Sequence, residues 1–228
     1  MATLLIEHVH SSHFIHHDIK PANFLIGTGL NCNQAFIIDF GLAKRYRDPR
    51  THIHIPFRAD HHILTGTTPF ASLNSHLGIE QSRCDDLESL AYILVYFLRG
   101  SLPWYDAKAS THNQRNKIRR MKADAIPNLL VGLPNEFSVF LDYTRTLGFE
   151  GRPDYAYMRS LFRDLRIREG HEDDDIFDWC LPIMSLDHQT SSNLTRINGK
   201  MLSKEQDTGA LSYSGRVLVH FFIQYIYV

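Results

Sequence analysis

Cysteine is scarce in this sequence. Three cysteines, Cys32, Cys84 and Cys180, occur among 228 residues, and no two of them form a CxxC pair. A small, odd number of widely spaced cysteines excludes a disulfide scaffold, which is the usual support of small secreted domains. We therefore expect a reducing, intracellular compartment, either the cytoplasm or the nucleus.

The chain also lacks an excess of one charge and a long apolar run. It has 24 Lys and Arg against 25 Asp and Glu, and a formal net charge of −1 gives no long-range attraction to nucleic acid or to an anionic membrane. The longest apolar run, residues 87–98, is interrupted by Glu88 and Ser89 and is shorter than the about 20 residues of a membrane span. The first ten residues lack the basic region of a secretory signal. We expect neither nucleic acid nor a membrane as a partner.

The spacing of apolar residues predicts a mainly α-helical protein with small β-hairpins. We expect helices at about residues 1–12, 82–99, 106–122, 134–146 and 154–168. The helix at 82–99 is apolar on nearly every face, which places it in the middle of a domain. Two short β-rich segments, residues 23–26 and 35–38, predict a hairpin, and residues 42–80 predict a long irregular segment.

The composition changes towards the C-terminus. Residues 182–215 contain many Ser, Thr, Asn, Gln and Gly without periodicity, which predicts a polar linker. Residues 216–228 are then apolar, β-branched and aromatic, but too few to span a bilayer. Three interpretations of this tail are open: a final strand, a partner-binding segment, or a non-native read-through of the gene model. We favour the last.

One stretch carries a pattern of chemical interest. Asp18, Lys20 and Asn23 lie within six residues in a predicted loop, and Asp39 follows the hairpin within the triplet Asp-Phe-Gly. Phosphoryl transfer needs a carboxylate that orients the attacking hydroxyl and oxygen ligands for the metal ions that bridge the phosphates. Asp18 is our candidate base, and Asn23 with Asp39 are candidate Mg²⁺ ligands of the hard-oxygen type that this ion prefers. Lys20 is placed to neutralise charge on the transferring group.

Two other patterns are weaker. Five histidines between His8 and His17 suggest zinc, but His8 and His10 point to different helix faces and no Cys or carboxylate completes a tetrahedral set. The glycine-containing stretch 27–32 lacks a third glycine and lies inside the hairpin, so turn formation explains it better than phosphate binding.

The ordered pair of motifs, HxDxKxxN followed by DFG, resembles the catalytic and metal-binding loops of protein kinases, with Lys20 in the serine/threonine form. Further segments resemble the casein kinase I family, in order along residues 1–181. They are 46–48, 51–52, 54–56, 64–67, 76–83, 85–90, 99–104, 153–155 and 177–179.

This resemblance implies the C-terminal lobe of a kinase domain over residues 1–181 and transfer of the γ-phosphate of ATP, with Mg, to Ser or Thr of protein substrates. It also implies roles for particular residues. His16 belongs to the catalytic-loop motif, Asp86 anchors the backbone of that loop, and Thr67 bonds the catalytic Asp18 and Lys20.

Several features depart from the family. The glycine-rich loop, the strand Lys and its partner Glu precede the catalytic loop in the family, whereas 17 residues precede Asp18 here. We therefore expect a truncated kinase domain that is inactive or nearly so, with an exposed lobe interface that allows self-association. His17 replaces the usual Arg, and Pro69 replaces an Arg that binds anions, which puts recognition of acidic or primed substrates in doubt.

A rival hypothesis comes from another functional class. The same departures fit a pseudokinase-like module that binds protein partners without catalysis. The presence of Asp18, Lys20, Asn23 and Asp39 argues for the catalytic alternative.

Overall fold

The computed structural model describes residues 1–28, 31, 33–59 and 64–170 of the chain. The predicted linker at 182–215 and the predicted apolar tail at 216–228 lie outside these residues. Within the described part, the fold is mainly helical with two pairs of short antiparallel strands. The helices are α1 Ala2–Ser11, α2 Leu73–Leu77, α3 Arg83–Arg99, α4 His112–Leu129, α5 Asn135–Thr146 and α6 Tyr155–Arg168. The strands are β1 Phe14–Ile15, β2 Phe24–Ile26, β3 Ala35–Ile37 and β4 Lys44–Arg45.

Helix α3 forms the centre of the domain, as its apolar composition predicts. Of its 17 residues, 14 are buried. The helix begins after Ser82, whose backbone N–H donates to Asp85 Oδ2 at 2.7 Å, and it ends at Gly100 in the left-handed conformation. Asp85 is therefore the third helical residue, and Ser82 is the N-cap.

Helix α4 differs from the expected range of 106–122. It begins after Thr111, whose side chain accepts from the backbone N–H of Gln114, while Gln114 Oε1 accepts from the N–H of Thr111 at 3.1 Å. This reciprocal pair is a capping box, and it sets the start of the helix. The helix then continues to Leu129, seven residues beyond the expected end at residue 122, with Pro127 in its last turn.

The two strand pairs place two loops side by side. In the predicted hairpin, β2 pairs with β3 through Phe24–Ile37, Leu25–Phe36 and Ile26–Ala35. The second pair, β1 with β4, was not predicted and joins Phe14 to Arg45 and Ile15 to Lys44. Residues 16–23 connect β1 to β2 and form the Asp18 loop, and residues 38–43 connect β3 to β4 and form the Asp39 loop. Because β1 pairs with β4 and β2 pairs with β3, the Asp18 loop and the Asp39 loop lie next to each other at both of their ends.

In its described parts, residues 42–59 and 64–80, the segment 42–80 is more ordered than its composition predicts. It contains β4, the helix α2 and an isolated antiparallel bridge between Arg47 and His54. The start of α2 is fixed by Ser72, whose Oγ accepts from the N–H of Ser75 at 3.1 Å. This segment leads from the Asp39 loop to Thr67 and the beginning of α3.

Candidate catalytic site

The carboxylate of Asp18 is held from both sides. Its Oδ1 accepts from the backbone N–H of Thr67 at 2.8 Å and from the Thr67 hydroxyl at 2.6 Å. Its Oδ2 accepts from the Lys20 ammonium at 2.5 Å. Asp18 is only 6% exposed, so this orientation is fixed by neighbouring protein atoms rather than by bulk water. The structure thus brings together three of the residues that sequence analysis singled out.

The protonation state of Asp18 follows from these contacts. Burial opposes ionisation, but the hydrogen bonds from Lys20 and Thr67 and the charge of Lys20 outweigh it and lower the pKa of Asp18 below its usual range. The group is therefore a carboxylate at neutral pH. It can accept a hydrogen bond from a hydroxyl that enters the site.

The amide of Asn23 is oriented by the same loop. Its Nδ2 donates to the backbone carbonyl of Asp18 at 2.8 Å, and this assigns Oδ1 as the acceptor end of the amide. The backbone carbonyl of Asn23 accepts from the N–H of Ile38 at 3.0 Å, which joins the Asp18 loop to the residue before Asp39.

Asp39 presents an exposed carboxylate next to this junction. Its backbone adopts the left-handed conformation with φ 66°, and its Oδ1 accepts from the N–H of Gly41 at 3.4 Å. A carboxylate and an amide oxygen from adjacent loops fit Mg²⁺, which uses a few protein oxygens and completes its shell with water and phosphate. Among the described residues, no group of three or more His, Cys, Asp or Glu could hold a metal ion. Asn23 and Asp39 are therefore a candidate pair of ligands that water and phosphate oxygens would complete.

His16 links the two loops through its ring. Its Nδ1 accepts from the backbone N–H of Asp18 at 3.3 Å, and its Nε2 donates to the carbonyl of Ile38 at 2.9 Å. These two partners assign the tautomer with hydrogen on Nε2. The ring is fully buried and lies 5.1 Å, between centroids, from the ring of Phe40. Movement of the Asp39 loop is therefore coupled to the position of the Asp18 loop.

Asp86, on α3, bonds the backbone of the Asp18 loop. Its Oδ2 accepts from the N–H of His16 at 2.7 Å, and its Oδ1 accepts from the N–H of His17 at 2.9 Å. Burial disfavours the charged form, yet the hydrogen bonds from His10 and the backbone lower the pKa of Asp86. A buried carboxylate on the central helix thus positions the residues immediately before Asp18.

His10 completes this network, a role that sequence analysis did not predict, since it considered His10 only as part of a weak zinc pattern. Its Nε2 bonds Asp86 Oδ2 at 2.9 Å, and its Nδ1 bonds the Tyr155 hydroxyl at 2.6 Å. These partners lie 76 and 145 residues away in the sequence. No local pattern marks such a residue, because its role depends on the packing of α1 against α3 and α6.

Gly66 allows the two sides of the site to approach closely. Its φ is +92°, and a Cβ at this position would lie 2.4 Å from the backbone carbonyl oxygen of His17. Only glycine fits a positive φ and such a contact together. The residue that follows, Thr67, can therefore reach the carboxylate of Asp18. His17 itself has a positive φ of 70°.

Comparison with known protein families identifies the family of this chain. A family model described as the protein kinase domain matches residues 3–207, which is most of the chain. The chain belongs to the protein kinase family. The mainly helical fold with small antiparallel strand pairs is consistent with a part of such a kinase domain.

The described part of this kinase contains no helix that is both long enough and apolar enough to cross a bilayer. Membership in the family makes protein substrates and the use of ATP with Mg the general expectation for the kinase.

Proposed function

We propose that the protein is a serine/threonine kinase of casein kinase I type, which transfers the γ-phosphate of ATP to Ser or Thr hydroxyls of protein substrates. The observation that carries the proposal is the carboxylate of Asp18, held by Thr67 and Lys20, in the same loop as Asn23, whose amide Nδ2 donates to the Asp18 carbonyl. The Lys two residues after Asp18 supports the Ser/Thr class. The segments that resemble casein kinase I, from residue 46 to residue 179, support the narrower assignment.

The roles of the residues follow from their contacts. Asp18 orients the substrate hydroxyl and accepts its proton. Lys20 keeps Asp18 ionised, and its remaining N–H donors can face a phosphate oxygen. Asn23 Oδ1 and Asp39 would hold Mg²⁺, which, when bound with ATP, neutralises phosphate charge. Thr67, His16 and Asp86 position these groups without needing to touch the reacting atoms.

A second candidate, the non-catalytic binding module, is less well supported. A pseudokinase that only docks partners has no need of an ionised Asp18 or of an Asn23 amide held in one orientation by the Asp18 loop. In this chain Asp18 is ionised, and Asn23 is oriented by a 2.8 Å hydrogen bond.

The polypeptide of 228 residues exposes an apolar surface beside the site. Five large apolar side chains near the two loops are between 38% and 50% exposed: Leu25, Phe36, Ile38, Phe40 and Leu42. Contiguous exposed apolar residues favour association with another surface. We therefore expect this polypeptide, produced alone, to self-associate at high concentration and to transfer phosphate slowly, because water reaches the exposed carboxylate of Asp39. Sedimentation velocity at rising concentration tests the first expectation.

Nucleotide binding gives the direct test of the proposed site. A ligand at 100 times its Kd stabilises the native state by about 2.7 kcal/mol, which for a chain of this size raises Tm by roughly 5–10 °C. We expect Mg-ATP to raise Tm in this way. Asp39→Asn is expected to abolish the Mg²⁺-dependent part of this rise in Tm. The matched control is Asp164→Asn, which replaces an exposed aspartate.

Phosphate transfer separates the base from the metal ligand. Asp18→Asn is expected to keep most of the Tm shift with Mg-ATP and to lose radiolabel transfer to a Ser-containing protein. Transfer that persists unchanged in Asp18→Asn would show that this carboxylate is not the base. The absence of any Mg-dependent shift in the unmodified chain would contradict the nucleotide site itself.

A further inference from the structure

The ammonium group of Lys122 is enclosed in the interior of the domain. Lys122 lies on α4 and is 0% exposed. Its Nζ lies over the rings of Tyr92 and Trp104, 4.7 Å and 5.3 Å from their centroids. Ring faces attract a cation, most strongly where water is excluded. Lysine is almost never fully buried without specific partners, so the partners of Lys122 are informative.

Lys122 donates hydrogen bonds to one turn of the backbone, residues 67–71, which we call the Thr67 turn. Its Nζ donates to the carbonyl of Thr68 at 3.1 Å and to the carbonyl of Ala71. These carbonyls lie near the beginning and at the end of the turn. A single side chain thus fixes the turn at two points from the interior of the domain.

Other contacts complete the fixation of the Thr67 turn. Trp104 Nε1 donates to the carbonyl of Pro69 at 2.8 Å. The backbone N–H groups of Phe70 and Ala71 both donate to the carbonyl of Thr67 at 2.9 Å. The turn is therefore closed by its own backbone and anchored by donors from the domain interior.

The first residue of the turn contacts the proposed base. Thr67 donates to Asp18 Oδ1 through its backbone N–H at 2.8 Å and through its hydroxyl at 2.6 Å. Because both donors belong to one residue, both bonds form only when the backbone of Thr67 has one orientation. The next carbonyl along the chain, that of Thr68, accepts from Lys122. The contacts therefore run without a gap from Lys122 through the Thr67 turn to Asp18.

Stability alone does not account for this buried cation. Both acceptors of Lys122 are neutral carbonyls, and burial lowers the pKa of Lys122 to about 7, although the charge of Glu88 opposes this shift. Glu88 Oε1 itself accepts from the Tyr92 hydroxyl and from the N–H of Leu73. Even buried ion pairs can often be replaced by apolar side chains of similar volume with no loss of stability. The two hydrogen bonds of Lys122 therefore contribute mainly to the conformation of the turn.

Two neighbouring titratable groups, Tyr92 on α3 and His76 on α2, stay neutral near pH 7. Burial raises the pKa of Tyr92, and burial together with the charge of Lys122 lowers the pKa of His76 to about 3. Arg115 and Arg119 add positive charge near His76 from α4. A change of charge in this cluster near pH 7 therefore comes from Lys122.

We propose that Lys122 is a positioning residue for phosphate transfer, which holds the Thr67 turn in the conformation that directs both donors of Thr67 at the Asp18 carboxylate. The inference rests on the proposed function, because the role of Asp18 as the base is what connects the turn with phosphate transfer. Lys122 acts through the backbone and does not need to touch substrate or nucleotide. A neutral amine retains two N–H donors, so the turn remains held above pH 7 as well.

Hydrogen exchange at the Thr67 amide tests this link in the full 228-residue chain. Lys122→Met keeps the length of the side chain and removes both hydrogen bonds to the turn. We expect the Thr67 amide to exchange about tenfold faster in this variant, while the amide of Ile38, which bonds the Asn23 carbonyl, changes little. The matched control is Lys117→Met, which replaces an exposed lysine on the same helix and should leave both amides unchanged. Unchanged exchange at Thr67, or an equal increase at Ile38, would overturn the proposal.

A measurement on the unmodified chain gives the answer even if Lys122→Met does not fold. Because the pKa of Lys122 is lowered to about 7 in the closed turn, an opening that exposes Lys122 to water takes up a proton above pH 7. Opening should therefore become less favourable as pH rises. Protection of the Thr67 amide, corrected for its intrinsic exchange rate, should increase about fivefold from pH 7 to pH 8. No increase at Thr67, or the same increase at Ile38, would show that the turn opens independently of Lys122.

Phosphate transfer separates positioning from nucleotide binding. Lys122→Met should keep the Tm shift with Mg-ATP and should slow radiolabel transfer to a Ser-containing protein by about 10- to 100-fold relative to Lys117→Met. Equal transfer by the two variants would contradict the positioning role. If the unmodified chain itself shows no Mg-dependent Tm shift, the proposed nucleotide site fails, whereas the exchange of the Thr67 amide still decides whether Lys122 holds the turn.

Discussion

Replacing Asp86 with asparagine tests whether one buried carboxylate holds the Asp18 loop against the central helix. Asp86 is 2% exposed and accepts three N–H groups, from the backbones of His16 and His17 and from the ring of His10. Asparagine has nearly the same shape but only one acceptor oxygen. Its NH₂ group must therefore face at least one N–H donor that the carboxylate now accepts.

The magnitude follows from the number of bonds that are lost. A hydrogen bond to a charged group contributes about 1.5–3 kcal/mol, and breaking a buried pair by removing one partner costs about 3–5 kcal/mol. Because asparagine is neutral, the variant does not carry the desolvation cost of a buried charge. The sum of the three hydrogen bonds is therefore an upper limit on the loss of free energy of unfolding. We expect a loss of about 2–4 kcal/mol, which for a chain of this size lowers Tm by roughly 4–16 °C.

The pH dependence gives an independent check. The pKa of Asp86 is lowered in the folded protein, so its contribution is complete above the unfolded pKa of about 3.9 and is lost as pH falls through the folded value. The difference in stability between the two proteins should therefore be constant from pH 8 to pH 5 and should shrink below about pH 4.

The assay is urea unfolding followed by far-UV circular dichroism, with hydrogen exchange at the amides of His16 and His17. Asp142→Asn, an exposed aspartate on α5, is the matched control and should change stability by less than about 0.5 kcal/mol. A loss below about 1 kcal/mol in Asp86→Asn, with unchanged exchange at both amides, would refute the reasoning.

Three further changes test particular contacts. Gly66→Ala should cost at least about 2 kcal/mol more than Gly132→Ala in urea unfolding, since both have positive φ but only the first Cβ meets the His17 carbonyl. Burial lowers the pKa of Lys122 to about 7, so the unfolded state binds more protons between pH 7 and 10. Stability measured at pH 7, 8 and 9 should thus rise by up to about 1.4 kcal/mol per unit, and Lys122→Met should lack this slope. Burial raises the pKa of Asp85 to about 6, so the folded state binds more protons between pH 4 and 6. As pH rises over that range, the Tm of the unmodified protein should therefore fall relative to the Tm of Asp85→Asn.

The helices with clear apolar spacing could be predicted from the sequence. The observed α3, α5 and α6 begin within one residue of the expected ranges and end at the expected residues, because apolar periodicity and local caps determine them. The pairing of β1 with β4 could not be predicted. Each strand has two residues, which is too few for a pattern, and the pairing depends on chain segments about 30 residues apart.

The site residues likewise include some that the sequence pattern predicts and others that it does not. Asp18, Lys20 and Asn23 could be recognised from their spacing because they lie in one loop and contact each other locally. Asp86 and Thr67 were identified only through the resemblance to a kinase family, since they reach Asp18 or its loop from 49 to 70 residues away.

The network explains why the base and the proposed metal ligands form one unit. Asp86 fixes the backbone before Asp18, and the ring of His16 then bonds both Asp18 and the residue before Asp39. The Asn23 carbonyl makes a second bond to that same residue, Ile38. Two hydrogen bonds from separate points of the Asp18 loop thus converge on Ile38, so neither loop can shift alone without leaving a polar group unsatisfied. The central helix therefore sets the geometry of both loops, although none of its side chains belongs to the proposed set of base and metal ligands.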